Sequence, residues 1–151
     1  MKYSYARFAA MIGTSTLTMF VLMYLNTYSW DHVFFSETRI YMALYMGAAM
    51  AVIMLTFMLG MYRNTAVNAA IYLLAAALFV AATWLLRSQE TVEDVSWMRA
   101  MIPHHSIAVL TSERADLSDP RVRDLAGRII ETQREEIAEM KGLIADLRAD
   151  E

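Results

Sequence analysis

Three long uncharged stretches fill the first part of the chain, and a finely mixed polar pattern replaces them after residue 87. Residues 8–30 hold no charged side chain, residues 40–62 lie between Arg39 and Arg63, and residues 64–86 lie between Arg63 and Arg87. A helix needs roughly 20 apolar residues to cross the hydrocarbon core of a bilayer. Each stretch therefore predicts a transmembrane helix, and residues 1–87 read as a membrane domain set in a lipid bilayer. The first run begins too late and stays apolar too long for a cleaved signal peptide. Tyr24, Tyr28, Trp30, Phe34, Phe35, Tyr41 and Tyr45 bracket the first loop, and Trp84 closes the third run, as expected of residues that favour the membrane–water interface.

Beyond Arg87 the period changes to that of an amphipathic helix. Thr91 with Asp94 three residues on predicts a capping box, and Val95, Met98, Met101, Ile102, His105 and Val109 then mark one helical face to about Asp116. Leu117-Ser118-Asp119-Pro120 predicts a stop and a restart, with Asp119 as N-cap and Pro120 at the first helical position. Val122, Leu125, Ile129, Ile130, Gln133, Ile137, Met140, Ile144 and Leu147 carry the second helix. Pro103 removes an amide donor inside the first, so a kink or a fresh start is expected there. The fold class is all-α: three transmembrane helices followed by an antiparallel helical hairpin over residues 88–151. Such a hairpin buries too little apolar surface to stand alone, so self-association of the tail into a four-helix bundle is expected.

Charge separates the two parts. Residues 1–87 carry five basic and two acidic side chains, a net +3, and residues 88–151 carry eight basic and fourteen acidic ones, a net −6. An acidic tail argues against nucleic acid as a partner. Cysteine is absent, which removes disulfides, thiolate metal sites and a Cys nucleophile together. An odd number of crossings puts the first loop and the tail on the same side of the membrane. Lys2, Arg7 and Arg63 on one side, against Arg39 and Arg87 on the other, with Arg99 also near the membrane, give a thin bias toward a cytoplasmic N-terminus and an outward tail.

The chemistry-bearing residues gather in the tail. Asp94, Met98, Met101, His104 and His105 recur at helical spacing in the first tail helix, and Gln133, Glu136 and Met140 answer them in the second. A pivot at residues 118–119 sets His104 opposite Gln133 and Met101 opposite Glu136. Thioether with imidazole is a soft donor set that suits copper, Cu(I) in particular. These eight residues are the expected metal ligands, with a metal-free network of ion pairs and hydrogen bonds as the plain alternative. The second span adds Met42, Met46, Met50, Met54 and Met58 at intervals of four. That row reads either as a thioether ladder or, more simply, as adaptable filler between helices. Beside it Ala43, Gly47 and Ala51 form a small-xxx-small strip.

Met101-x-x-His104-His105-x-x-Ala108, followed by Gln133-x-x-Glu136-Ile137-x-x-Met140, resembles the bacterial Domain of Unknown Function 305 family. With Asp94, Trp97, Asp119-Pro120, Leu125-Ala126 and Ile129, the likeness covers about residues 94–147. It implies a ferritin-like helical bundle and copper handling in the periplasm, on the outer face of a bacterial inner membrane. Ser106 departs from the Gln or Glu common at that place, and Gly142 from a bulky residue. No HExxH, GxSxG or phosphate-binding glycine loop occurs. The expected function is a non-enzymatic, membrane-anchored copper-binding protein for storage, delivery or tolerance. The alternative is an accessory or scaffold subunit of a larger membrane complex.

The chain lacks cysteine, so a Ser118→Cys variant carries one thiol at the hairpin turn. It should react with a membrane-impermeant thiol reagent in intact cells whose outer membrane has been permeabilised; labelling only after lysis would place the tail in the cytoplasm.

Overall fold

A computed structural model describes residues 4–149. Five helices follow one another, with no strand among the described residues: α1 Tyr5–Leu22, α2 Glu37–Phe57, α3 Thr65–Ser88, α4 Asp94–Arg114 and α5 Pro120–Ala149. A single 3₁₀ turn, Trp30–His32, lies between α1 and α2. Lys2, counted in the charge bias, lies outside the described residues.

The helices α1, α2 and α3 are apolar and 18, 21 and 24 residues long. At 1.5 Å per residue they reach about 27, 32 and 36 Å, which matches a hydrocarbon core of about 30 Å. All three are long and apolar enough to cross a membrane. Their starts are set by local polar groups. Ser4 Oγ accepts the amide of Ala6 at the head of α1, and Asn64 Oδ1 accepts that of Val67 at the head of α3. Gln89, left-handed at φ 55°, ends α3.

The chain forms two compact units. The first takes in Met1–Met23 and Thr38–Thr91. Phe8, Leu55 and Tyr62 form one buried cluster in it, with Met54 and Met58 packed against them. Ala48, Ala51 and Ala75 form another. Part of the methionine row thus fills gaps around aromatic rings, as a flexible thioether does. Tyr5 donates to Asn68 Oδ1 at 2.8 Å, and Asn68 Nδ2 donates to the carbonyl of Tyr62 at 2.7 Å. This settles a buried amide that would otherwise be costly in an apolar setting.

The second unit takes in Tyr24–Glu37 and Val92–Glu151. Its helices α4 and α5 pack as an antiparallel hairpin around Met98, Ile102, Ile137, Met140 and Ile144, and Phe34 of the first loop adds to that core. α1 stops at Leu22, short of Trp30 where the uncharged run ends. The residues after it leave the helix to pack on the hairpin instead. Loop and tail in one unit agree with the two candidate crossings, α2 and α3, that separate them in sequence.

Two local expectations change. Glu93, not Thr91, is the N-cap of α4, and it makes no side-chain capping bond. The Thr91 hydroxyl is instead 2.7 Å from that of Tyr41. α4 also runs without a break through Pro103, which is buried, so packing holds the helix together across the missing bond. The stop at 117–120 forms as expected: Asp119 Oδ1 accepts the Arg121 amide at 2.8 Å and Pro120 opens α5.

Gly47 shows why the small-xxx-small strip is small. A Cβ there would lie 2.3 Å from Thr16 Oγ1, 3.1 Å from its Cγ2 and 3.2 Å from its Cβ, so the threonine must turn and its helix must still give by a few tenths of an ångström. Gly47→Ala should destabilise the membrane unit by about 1–3 kcal/mol, read as a lower unfolding midpoint in detergent; an unchanged midpoint would refute the close approach.

Candidate functional site

The site begins with one histidine on one turn of α4. His105 Nδ1 is 3.0 Å from the carbonyl of Met101. A carbonyl only accepts, so Nδ1 carries the hydrogen and Nε2 is left for other work. Nε2 lies 2.8 Å from Glu136 Oε2 on α5. Gln133 Nε2 donates to the same carboxylate oxygen at 3.2 Å. The His105 side chain is 12% exposed and that of Glu136 44%, so the pair sits at the rim of the helix interface.

That geometry admits few chemical states. With Nδ1 protonated, a neutral ring would aim the Nε2 lone pair at a carboxylate, which is repulsive. A proton shared between the two atoms fits the 2.8 Å separation; a metal ion bound by both would sit beside the line joining them, with the Met101 carbonyl fixing the ring from behind. The second arrangement is how ligating histidines are commonly oriented.

The other expected ligands are spread more widely. Met98 and Met140 lie in the apolar core, and Met101 packs against it. His104 is exposed, its ring centroid 6.3 Å from that of His105. Asp94 opens α4 and is exposed, about 16 Å along the helix from His105. Among the described residues, no three His, Asp or Glu groups converge as a ready metal cluster. His105 pairs with Glu136, where a pivot at 118–119 sets Met101. Side chains lean toward their own helix N-terminus, in opposite directions on antiparallel helices, and this carries the contact about one turn along.

The opposite flank of the hairpin holds an arrangement the sequence reading did not foresee. Ser106, fully buried, accepts the backbone amide of Tyr28 at 2.7 Å, and its hydroxyl is 2.9 Å from His32 Nδ1. Lys141 of α5 pairs with Asp31, and Arg134 lies over the Tyr28 ring, 5.6 Å from its centroid, with its guanidinium 3.3 Å from the Tyr28 hydroxyl. The loop is strapped across both helices. The third histidine, beside an aspartate in an aromatic loop, was the visible signal, but nothing in its spacing named Ser106 as the partner. A small hydroxyl at this position is what the docking requires.

Burial pushes the His32 pKa down, the Lys141 charge adds to this, and Asp31 opposes it. The hydrogen bond from Lys141, then that from Ser29, holds the Asp31 carboxyl far below the usual carboxylate range.

Residues 84–151 match the model of a family described as "Domain of unknown function (DUF305)". The match covers the C-terminal segment, 68 of the 151 residues. An uncharacterized protein of Acanthamoeba polyphaga mimivirus is 31% identical over 74 residues, covering 48% of this chain and 49% of that protein. The chain therefore spans about half the length of this relative. No solved structure matches it. The DUF305 segment contains α4, α5 and the end of α3, whereas the strapping loop at 24–37 lies outside it.

Because the His32 pKa is lowered in the folded state, the folded state binds fewer protons there than the unfolded chain. Its contribution to stability is complete above the ordinary histidine value of about 6.5 and is lost as pH falls below it. Wild-type protein should therefore lose more thermal stability between pH 7 and 5 than His32→Gln does. Equal losses would show that His32 is not held in this way.

Proposed function

We propose that this protein is a membrane-anchored metal-binding module, with its DUF305 hairpin in the periplasm and its N-terminus in the cytoplasm of a bacterial cell. It handles copper, for storage, delivery or tolerance, and performs no catalysis. The observation that carries this reading is the His105 ring, fixed by the Met101 carbonyl, with Nε2 at 2.8 Å from Glu136 Oε2. Imidazole with carboxylate fits a borderline divalent ion of the copper or zinc type. Copper in the Cu(I) state calls for a thioether, and Met101 is the one best placed to turn toward the site, since Met98 and Met140 are committed to the core. His105 and Glu136 would hold the ion, and the Gln133 amide would steady the carboxylate.

A second reading keeps the same pair as a plain ion pair and makes the protein an accessory subunit of a larger membrane complex. The 2.8 Å separation is ordinary for an imidazolium on a carboxylate. Metal analysis and chelator-competition titration of the detergent-solubilised chain separate the two. Binding of copper should weaken by more than about tenfold in His105→Ala and change little in a Met42→Leu, Met46→Leu double variant. It should also weaken as pH falls, because protons compete for the imidazole. Full copper affinity in a His104→Ala, His105→Ala double variant would reject the site, and no bound metal in the wild type would favour the accessory subunit.

A further inference from the structure

One chain brings two good donors to the His105–Glu136 site, too few to close a coordination shell. The surface around it says where the rest come from. On α5, at about 100° per residue, Leu125, Ile129, Glu136, Leu143 and Leu147 fall within about 20° of a common line. Leu125, Leu143 and Leu147 are 49%, 46% and 41% exposed although apolar. The row is also symmetric about its polar member. Ile129 and Leu143 lie seven residues either side of Glu136, and Leu125 and Leu147 lie eleven either side. The flank carrying Arg134 and Lys141 is already covered by the first loop, whereas Leu125, Leu143 and Leu147 stay exposed along the rim of the α4 interface, which Ile129 and Glu136 border.

We infer that a second copy of this chain docks on the row, α5 against α5 in antiparallel, and that the metal site is completed between the two copies. A palindromic apolar row is self-complementary under a two-fold axis. With that axis at Glu136, Leu125 meets Leu147 of the second copy, and Ile129 meets its Leu143. The axis also brings two Glu136 carboxylates together, each with its His105. Two like charges at close range in a partly buried seam are costly unless a cation joins them. Two imidazoles and two carboxylates around one ion make a four-donor N₂O₂ set that suits Cu(II) or Zn(II).

The inference rests on the metal reading above, and its test separates the two. Full-length protein in detergent is loaded with Cu(II), and its native mass, copper per chain and electron paramagnetic resonance spectrum are measured. The expected result is a dimer with one copper per two chains and hyperfine structure from two imidazole nitrogens. Leu125→Glu and Leu143→Glu alter exposed positions, so helicity should be kept, checked by circular dichroism. Each should give monomers with copper affinity lowered by more than about tenfold. One copper per chain, with both variants binding as wild type does, would overturn the shared site and leave a single-chain site standing. A dimer that binds no copper would overturn the metal reading and the shared site with it.

Discussion

Two helices packed on each other can hide one stripe each, and the α4–α5 hairpin carries more apolar surface than that. Met98, Ile102, Ile137, Met140 and Ile144 use up the mutual face. Everything else in the second unit follows from what covers the remainder. One flank is covered by the chain itself: the loop after α1 lays Phe34 on the core and ties its backbone to Ser106 through Tyr28 and its ring to His32. A buried hydroxyl with two partners is satisfied, whereas the same hydroxyl left alone would be costly. The loop and the hairpin are therefore interdependent, and the early end of α1 at Leu22 is the local consequence.

The His105–Glu136 pair shows how one geometry supports two chemistries. Once the Met101 carbonyl has fixed the ring, the gap between Nε2 and the carboxylate calls for a positive centre. On the proposed metal reading, a proton and a metal ion compete for the imidazole nitrogen, as at any imidazole ligand. The methionines that gave the segment its soft character have mostly gone to packing. A flexible, polarizable side chain serves both roles, and position in the interface decides between them.

In the membrane unit the constraint is different. Lipid is as apolar as leucine, so helices gain little by hiding apolar side chains from it and depend on close approach and internal polar contacts. Gly47 against Thr16 supplies the first, and the Tyr5–Asn68–Tyr62 hydrogen bonds supply the second. Leu73, Leu74 and Val80 are exposed on a helix apolar enough to cross a membrane, where acyl chains would meet them.

Much of this was legible in the sequence because it depends on period and length alone. Three uncharged runs specified three helices able to cross a membrane, and Asp119-Pro120 specified the turn of the hairpin, since helix length and capping are local properties. The motif around His104 and His105 pointed to the family that the match over residues 84–151 bears out. Which residues meet was another matter. Spacing placed eight donors on facing helices, but the lean of side chains along antiparallel axes joined His105 to Glu136 and left Asp94 some turns away. Thr91 as a cap lost to a hydroxyl contact with Tyr41, which no local pattern records. The strap from Tyr28 and His32 to Ser106 spans more than seventy residues of sequence. Such contacts arise because packing chooses partners by shape and unmet hydrogen bonds, and both exist only once the chain has folded.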